Sequence, residues 1–236
     1  QFAVDKAAVG NIAAPVISRW ATQWHGLEAV ANPFNVGFGL MVMCLAVSLG
    51  ALYLINNIKN EKLATQLRRS LLISFLCFLL LLVYVVITLL TMDGFAVDAN
   101  GEVFMEEYKY LHNFLQMPAV LAMFLVGAVL LVWGVVVTLL KQRFSRGIWL
   151  AAPGTVLAVM ALFMIAGYNN TAYYPSTYDL QSSLTLANSC SSEFTLSTMA
   201  VVSLIIPFVV GYIAYFWRQM DKKSLTTEEL NSSDKY

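Results

Sequence analysis

The sequence predicts an all-α membrane protein: five transmembrane helices preceded by an interfacial amphipathic helix, with a small external β-hairpin in one connection. Three observations carry this. Some 59% of the residues are hydrophobic and only 12% are charged, where soluble domains carry roughly a quarter charged. Five apolar runs each reach the roughly 20 residues that a helix needs to cross a bilayer. Runs such as LLISFLCFLLLLVYVVITLL are apolar on every face, so no stripe marks a soluble core, and no alternating strands suggest a barrel. The formal net charge is zero, which gives no basic surface for nucleic acid and no acidic tail for a cationic ligand.

Residues 1–32 form an external or interfacial segment with no run long enough for a span or a signal core. Within it, Pro15 to Ala31 reads as a short amphipathic helix with Trp20, Trp24 and Leu27 on one face, Arg19 and Gln23 to one side, and tryptophan belt anchors. His25 and Glu28, three apart on that helix, could pair by a hydrogen bond, either as a plain interfacial pair or in contact with a quinone headgroup.

The bundle, 33–219, follows with spans at 33–57, 70–92, 113–140, 147–167 and 194–217. Gly37, Gly39, Ser48 and Gly50 in the first span, and Gly127 and Gly134 in the third, mark places where helices can approach closely. Pro118 and Pro207 should kink their helices or sit near their first turns, and Pro153 falls in the first turns of the fourth. In DGFAVDANGEVFMEE, Asn100-Gly101 between short β-prone runs predicts a hairpin with a type I′ turn, both central residues at positive φ. The stretch Tyr168 to Met199 is too long and too rich in aromatics and hydroxyls for a tether, and is expected to be ordered.

Charge sets the orientation. Lys59, Lys62, Arg68 and Arg69 lie between the first and second spans, Lys141, Arg143 and Arg146 between the third and fourth, and Arg218, Lys222 and Lys223 after the fifth. The other two connections hold one basic residue, Lys109. The positive-inside rule makes the first set cytoplasmic, the amino terminus external and the tail, 220–236, cytoplasmic.

Reactive chemistry is sparse. No ionisable residue lies in the middle of any span, which argues against an autonomous pump or ion-coupled transporter. Cys44, Cys77 and Cys190 show no ligand spacing, and no phosphate cradle, nucleophile elbow or zinc motif is present. His112 opens the third span beside Asn113 and Gln116, with His112 and Gln116 one turn apart; this is the best polar cluster near a membrane surface, and it fits a quinone or partner contact, or a helix cap. No catalytic residue, metal ligand or haem ligand emerges.

The segments WHGLEAVANPFN, YKYLHNFLQMP, GIWLAAPGTVLAVMALFMIAGYN and YYPSTYDLQSSLTLANSCSSEFTLSTM together resemble subunit II of cytochrome bd quinol oxidases, in wording closest to the Bacteroidetes branch. The match to the NPF-type helix start at Asn32, Pro33 and Phe34 implies that the chain is the carboxyl-terminal portion of such a subunit. The resemblance implies a heterodimer with subunit I in the bacterial inner membrane, oxidising quinol and reducing oxygen to water. It implies that haems b and d reside in subunit I, that this chain binds no cofactor and is not catalytic alone, and that lipid and quinone are its other contacts. A transporter fragment, or a membrane assembly or anchoring protein, remains the alternative from the residues themselves.

Overall fold

The computed structural model describes residues 2–5, 17–58 and 60–220. Five helices in it are long and apolar enough to cross a membrane. They make two antiparallel pairs and a separate last span.

The first pair is α1 (Pro33–Asn57) and α2 (Glu61–Thr91). Pro33 occupies the first turn of α1, where its missing N–H costs nothing, and the Asn32 side chain accepts from Phe34 N at 2.9 Å. Asn60 caps α2 in the same way, accepting from Lys62 N and Leu63 N. This cap starts α2 nine residues ahead of the apolar run that begins at Ser70, because EKLATQLRR is good helix sequence even though it is not membrane sequence. The pair is closed by Met41, Leu45, Leu52 and Ile55 against Leu71, Phe75, Phe78 and Val85. Inside it the buried Ser48 hydroxyl meets Ser74 Oγ at 2.9 Å. A Cβ on Gly37 would reach the Tyr84 ring at 2.6 Å, whereas Gly39 and Gly50 face open space, so only part of the expected small-residue set makes contact.

The second pair is α4 (Pro118–Leu140) and α5 (Ile148–Gly167). A short helix, α3 (Lys109–Gln116), precedes α4. The third span is therefore not continuous from Asn113. The break falls at Met117, which precedes a proline and is pushed out of the helical region to φ −117 and ψ 72. Gly127 and Gly134 on α4 touch the backbone of α5: an added Cβ on Gly127 would lie 2.6 Å from Ala158 N, and one on Gly134 would lie 2.6 Å from Gly147 O. Gly154 answers from α5, where a Cβ would meet Leu131 N at 2.6 Å. Backbones this close are the membrane equivalent of a packed core, since lipid supplies no hydrophobic force between helices. Leu131, Val135 and Ala151 tie this pair to the first. At the basic end, Arg68 of α2 donates to Gln142 O and Phe144 O of the α4–α5 connection.

The last span consists of α7 (Glu193–Ser203) and α8 (Ile206–Met220), neither of which buries a residue against the rest of the chain. Pro207 lacks an N–H and its ring excludes the Ser203 carbonyl, so the helix closes at Leu204 and Ile205 with bonds to Val201 O and Val202 O and restarts.

The end of the bundle opposite the basic connections is capped. Strands β3 (Gly94–Val97) and β4 (Val103–Glu106) form the expected hairpin. Its turn differs from expectation. Gly101 has φ 84 but Asn100 is not at positive φ, because the Asp98 carboxylate accepts from Asn100 N and Glu102 N and stabilises an ordinary turn closed by a left-handed glycine.

The amphipathic helix expected over Pro15–Ala31 is replaced by other structure. Strand β2 (Ile17–Trp20) pairs with β1 (Phe2–Asp5), and a 3₁₀ helix spans Leu27–Ala31. His25 at φ 47 and Gly26 at φ 96 are left-handed, which no continuous helix allows, and Trp20 folds back over Gly26. Residues 15 and 16 of that stretch, and the tail from residue 221, lie outside the described residues.

Candidate functional site at the capped end

The polar groups of the cap are gathered by α3. Its N-cap, Tyr108, is left-handed at φ 53, which turns the chain sharply from β4 into the helix. The turn lays Lys109 and Tyr110 against Gly94, where a side chain would collide with Lys109 Cβ at 2.5 Å. Burial pushes the Tyr110 phenol up from its ordinary value.

Two clusters result. In the first, Glu106 Oε1 lies 2.8 Å from His112 Nδ1 and Oε2 lies 3.0 Å from Lys109 Nζ. The hydrogen bond from His112, and then the one from Lys109, hold the Glu106 carboxyl below the usual carboxylate range. In the second, fully buried Asn113 donates to Ile165 O at 2.7 Å and to Thr171 Oγ1 at 2.9 Å, and accepts from Asn169 Nδ2 at 2.9 Å. The Asn169 amide also donates to Gln116 Oε1. Asn169 and Asn170 are both left-handed, at φ 58 and 53, a conformation that asparagine tolerates. They reverse the chain after α5 so that Thr171 reaches β3: Ala96 and Thr171 form a bridge, Val97 N donates to Asn170 O and Ala172 N to Phe95 O.

The long connection is ordered by its own hydroxyls. Ser176 N donates to Ser183 Oγ, Ser176 Oγ donates to Phe2 O, and Thr185 with Asn188 forms a capping box for the short helix α6 (Leu186–Ser189). Gln181 brackets Val103, accepting from its N and donating to its O, and so covers the free edge of β4.

His112 and Gln116 are thus brought to one surface but engaged by different partners, Glu106 and Asn169. His25 and Glu28 are not joined: no hydrogen bond links them among the described residues. His25 is exposed in its turn, while both carboxylate oxygens of Glu28, with Thr22 Oγ1, are shielded and have no hydrogen-bond partner among the described residues. Sequence reasoning named Asn113 only as a neighbour and missed Asn169 and Thr171. An Asn-Asn pair directly after an apolar run is a turn signal that could have found them.

Chemically, the Asn113 cluster is a satisfied network that rigidifies. The Glu106 cluster offers a carboxylate and an imidazole at a half-exposed surface. Among the described residues no group of three or more His, Cys, Asp or Glu is placed to hold a metal ion.

Five apolar spans with a hydrogen-bonded polar cap define a polytopic membrane bundle. The chain belongs to the cytochrome bd terminal oxidase subunit II family, whose profile matches residues 5–220. It is similar to the cytochrome bd-I ubiquinol oxidase subunit 2 of Escherichia coli strain K12 and its counterparts in strains O6:H1 and O157:H7. The identity is 26% over 219 residues, covering 87% of this chain and 56% of each relative. The chain spans about half the length of the curated relatives it matches.

Proposed function

We propose that this chain is a structural, non-haem part of a cytochrome bd-type quinol oxidase: it packs beside the haem-bearing subunit I and stabilises the complex that oxidises quinol and reduces oxygen to water. The family match over residues 5–220 carries the reading. On this reading the haems b and d belong to subunit I. In support of this reading, both histidines lie outside the spans, His112 is engaged by Glu106, and α4 and α5 meet backbone to backbone.

The complex sits in the bacterial inner membrane with the basic connections in the cytoplasm and the polar cap outside. His112 with Gln116, and His25 with Glu28, stand at that outer surface as contacts for a partner chain, quinone or lipid, with no catalytic role. A transporter would need polar groups around its broken helix. The break in the last span is flanked instead by Leu204, Ile205, Ile206 and Pro207, and the one hydroxyl beside it, Ser203, bonds back to Ala200 O.

The test is deletion of the region corresponding to residues 33–219 from the full-length gene. Loss of assembled haem d and of quinol-dependent oxygen uptake is expected, and a fully assembled, active oxidase without this region overturns the proposal.

A further inference from the structure

The paired helices α1 and α2 carry, toward the basic end, a groove enclosing about 540 Å³ and lined by Met43, Cys44, Val47, Arg69, Ile73 and Cys77. That volume falls within the about 300–1,000 Å³ usual for small-molecule sites. Met43, Val47 and Ile73 are 57%, 46% and 56% exposed, so the apolar wall is open to the lipid side of the bundle. From Arg69 to Cys77 the groove runs about 12 Å along α2 at 1.5 Å per residue, the length of a partly extended acyl chain segment.

Its mouth is polar and cationic. Gln66, Arg69 and Ser70 stand together where the apolar part of α2 begins. The two neighbouring arginines divide their roles: Arg68 is turned inward onto the Gln142 and Phe144 carbonyls, while Arg69 is exposed with no hydrogen bond or ion pair among the described residues. Among the described residues, the basic end around it carries Lys62, Arg68, Lys141, Arg143 and Arg146 against one carboxylate, Glu61. An unpaired guanidinium at the membrane boundary, at the head of an apolar groove, is complementary to a phosphate with hydrocarbon attached. A zwitterionic lipid would bring its own cation to a positive surface, and a quinone would leave the charge unanswered.

We infer that this groove is a binding site for an anionic phospholipid. The phosphate is held by Arg69 with Gln66 and Ser70 as further donors, and an acyl chain lies along Met43, Val47, Ile73 and Cys77. The inference needs only that the bundle resides in a membrane, and stands whether or not the oxidase reading does.

The experiment uses the full-length protein in its native complex, stripped of loosely held lipid and titrated with dioleoylphosphatidylglycerol bearing a photoreactive acyl chain. Dioleoylphosphatidylcholine with the same label is the comparison. Phosphatidylglycerol is expected to label peptides from 43–47 and 73–77 and to protect Cys77 from N-ethylmaleimide. Arg69→Gln, a change at an exposed and unpaired side chain, should lower labelling about fivefold, the effect of one basic residue near an anionic surface. Val47→Trp should fill the groove and abolish labelling, and Phe163→Leu, on the exposed face of α5, should leave it unchanged. Equal labelling by phosphatidylcholine, an undiminished signal in Arg69→Gln, displacement by an equimolar long-chain quinone, or cross-linking of the groove to a polypeptide in native membranes would each overturn the inference.

Discussion

Replacing Asn113 by leucine tests how the cap is held to the bundle. Leucine fills similar space but removes all three bonds that Asn113 makes, to Ile165 O, Thr171 Oγ1 and Asn169 Nδ2. At about 1 kcal/mol net for each, the two of these bonds that reach the segment from Asn169 to Thr171 are worth about 2 kcal/mol of its attachment, and their loss raises its open population about 30-fold. Tyr173 stands just past that segment and reports on it. When local opening is fast, cleavage follows the population of the open form. Brief chymotrypsin treatment of the full-length protein should therefore cut after Tyr173 about 30 times faster in Asn113→Leu, with the spans intact. Asn169→Ala removes the bond to Asn113 together with the more exposed one to Gln116, about 1–2 kcal/mol, and should raise cleavage about tenfold. Wild-type cleavage in Asn113→Leu would show that the network does not anchor the loop, and the account of the cap would be wrong.

Gly127→Val should prevent α4 and α5 from closing, since the new atoms meet Ala158 N and Gly154 O, which are backbone and cannot rotate away; overpacking of this kind costs at least about 1–3 kcal/mol. A thermal melt of the complex should fall, while Gly39→Ala, in open space, leaves it unchanged. The Glu106 carboxyl is held below its ordinary value, so its contribution is present above the unfolded carboxylate pKa of about 4.3 and is lost as pH falls through the lower folded value. The melt should therefore drop between pH 5 and pH 3, and Glu106→Gln should remove that part of the drop. Gln181→Ala bares the edge of β4 and should speed amide exchange at Val103 about tenfold, for a loss of about 1–2 kcal/mol.

The spans were legible because a bilayer imposes one rule, uninterrupted apolar length, and α1 runs over the residues at which hydropathy begins and stops, Pro33 and Asn57. Helix ends outside the bilayer obey other rules. Asn60 starts α2 early by capping it, and the proline after Met117 interrupts a stretch that hydropathy reads as continuous. Small residues gave the α4–α5 seam but could not tell Gly37, against Tyr84, from Gly39 and Gly50, because rotation about a uniformly apolar helix leaves no mark in the sequence. At the amino-terminal segment, helical spacing of Trp20, Trp24 and Leu27 was outweighed by strand pairing and by the left-handed His25 and Gly26. The cap was the least legible part. Asn113 and Asn169 are 56 residues apart and meet only once the helices have packed, and nothing local announces such a pair.

The central claim, membership in a haem-bearing oxidase complex, is tested most directly by a reduced-minus-oxidised absorption spectrum of whatever co-purifies with the tagged full-length parent protein from native membranes. The account predicts b- and d-type haem bands together with a larger haem-bearing partner. A colourless preparation with no such partner would contradict it.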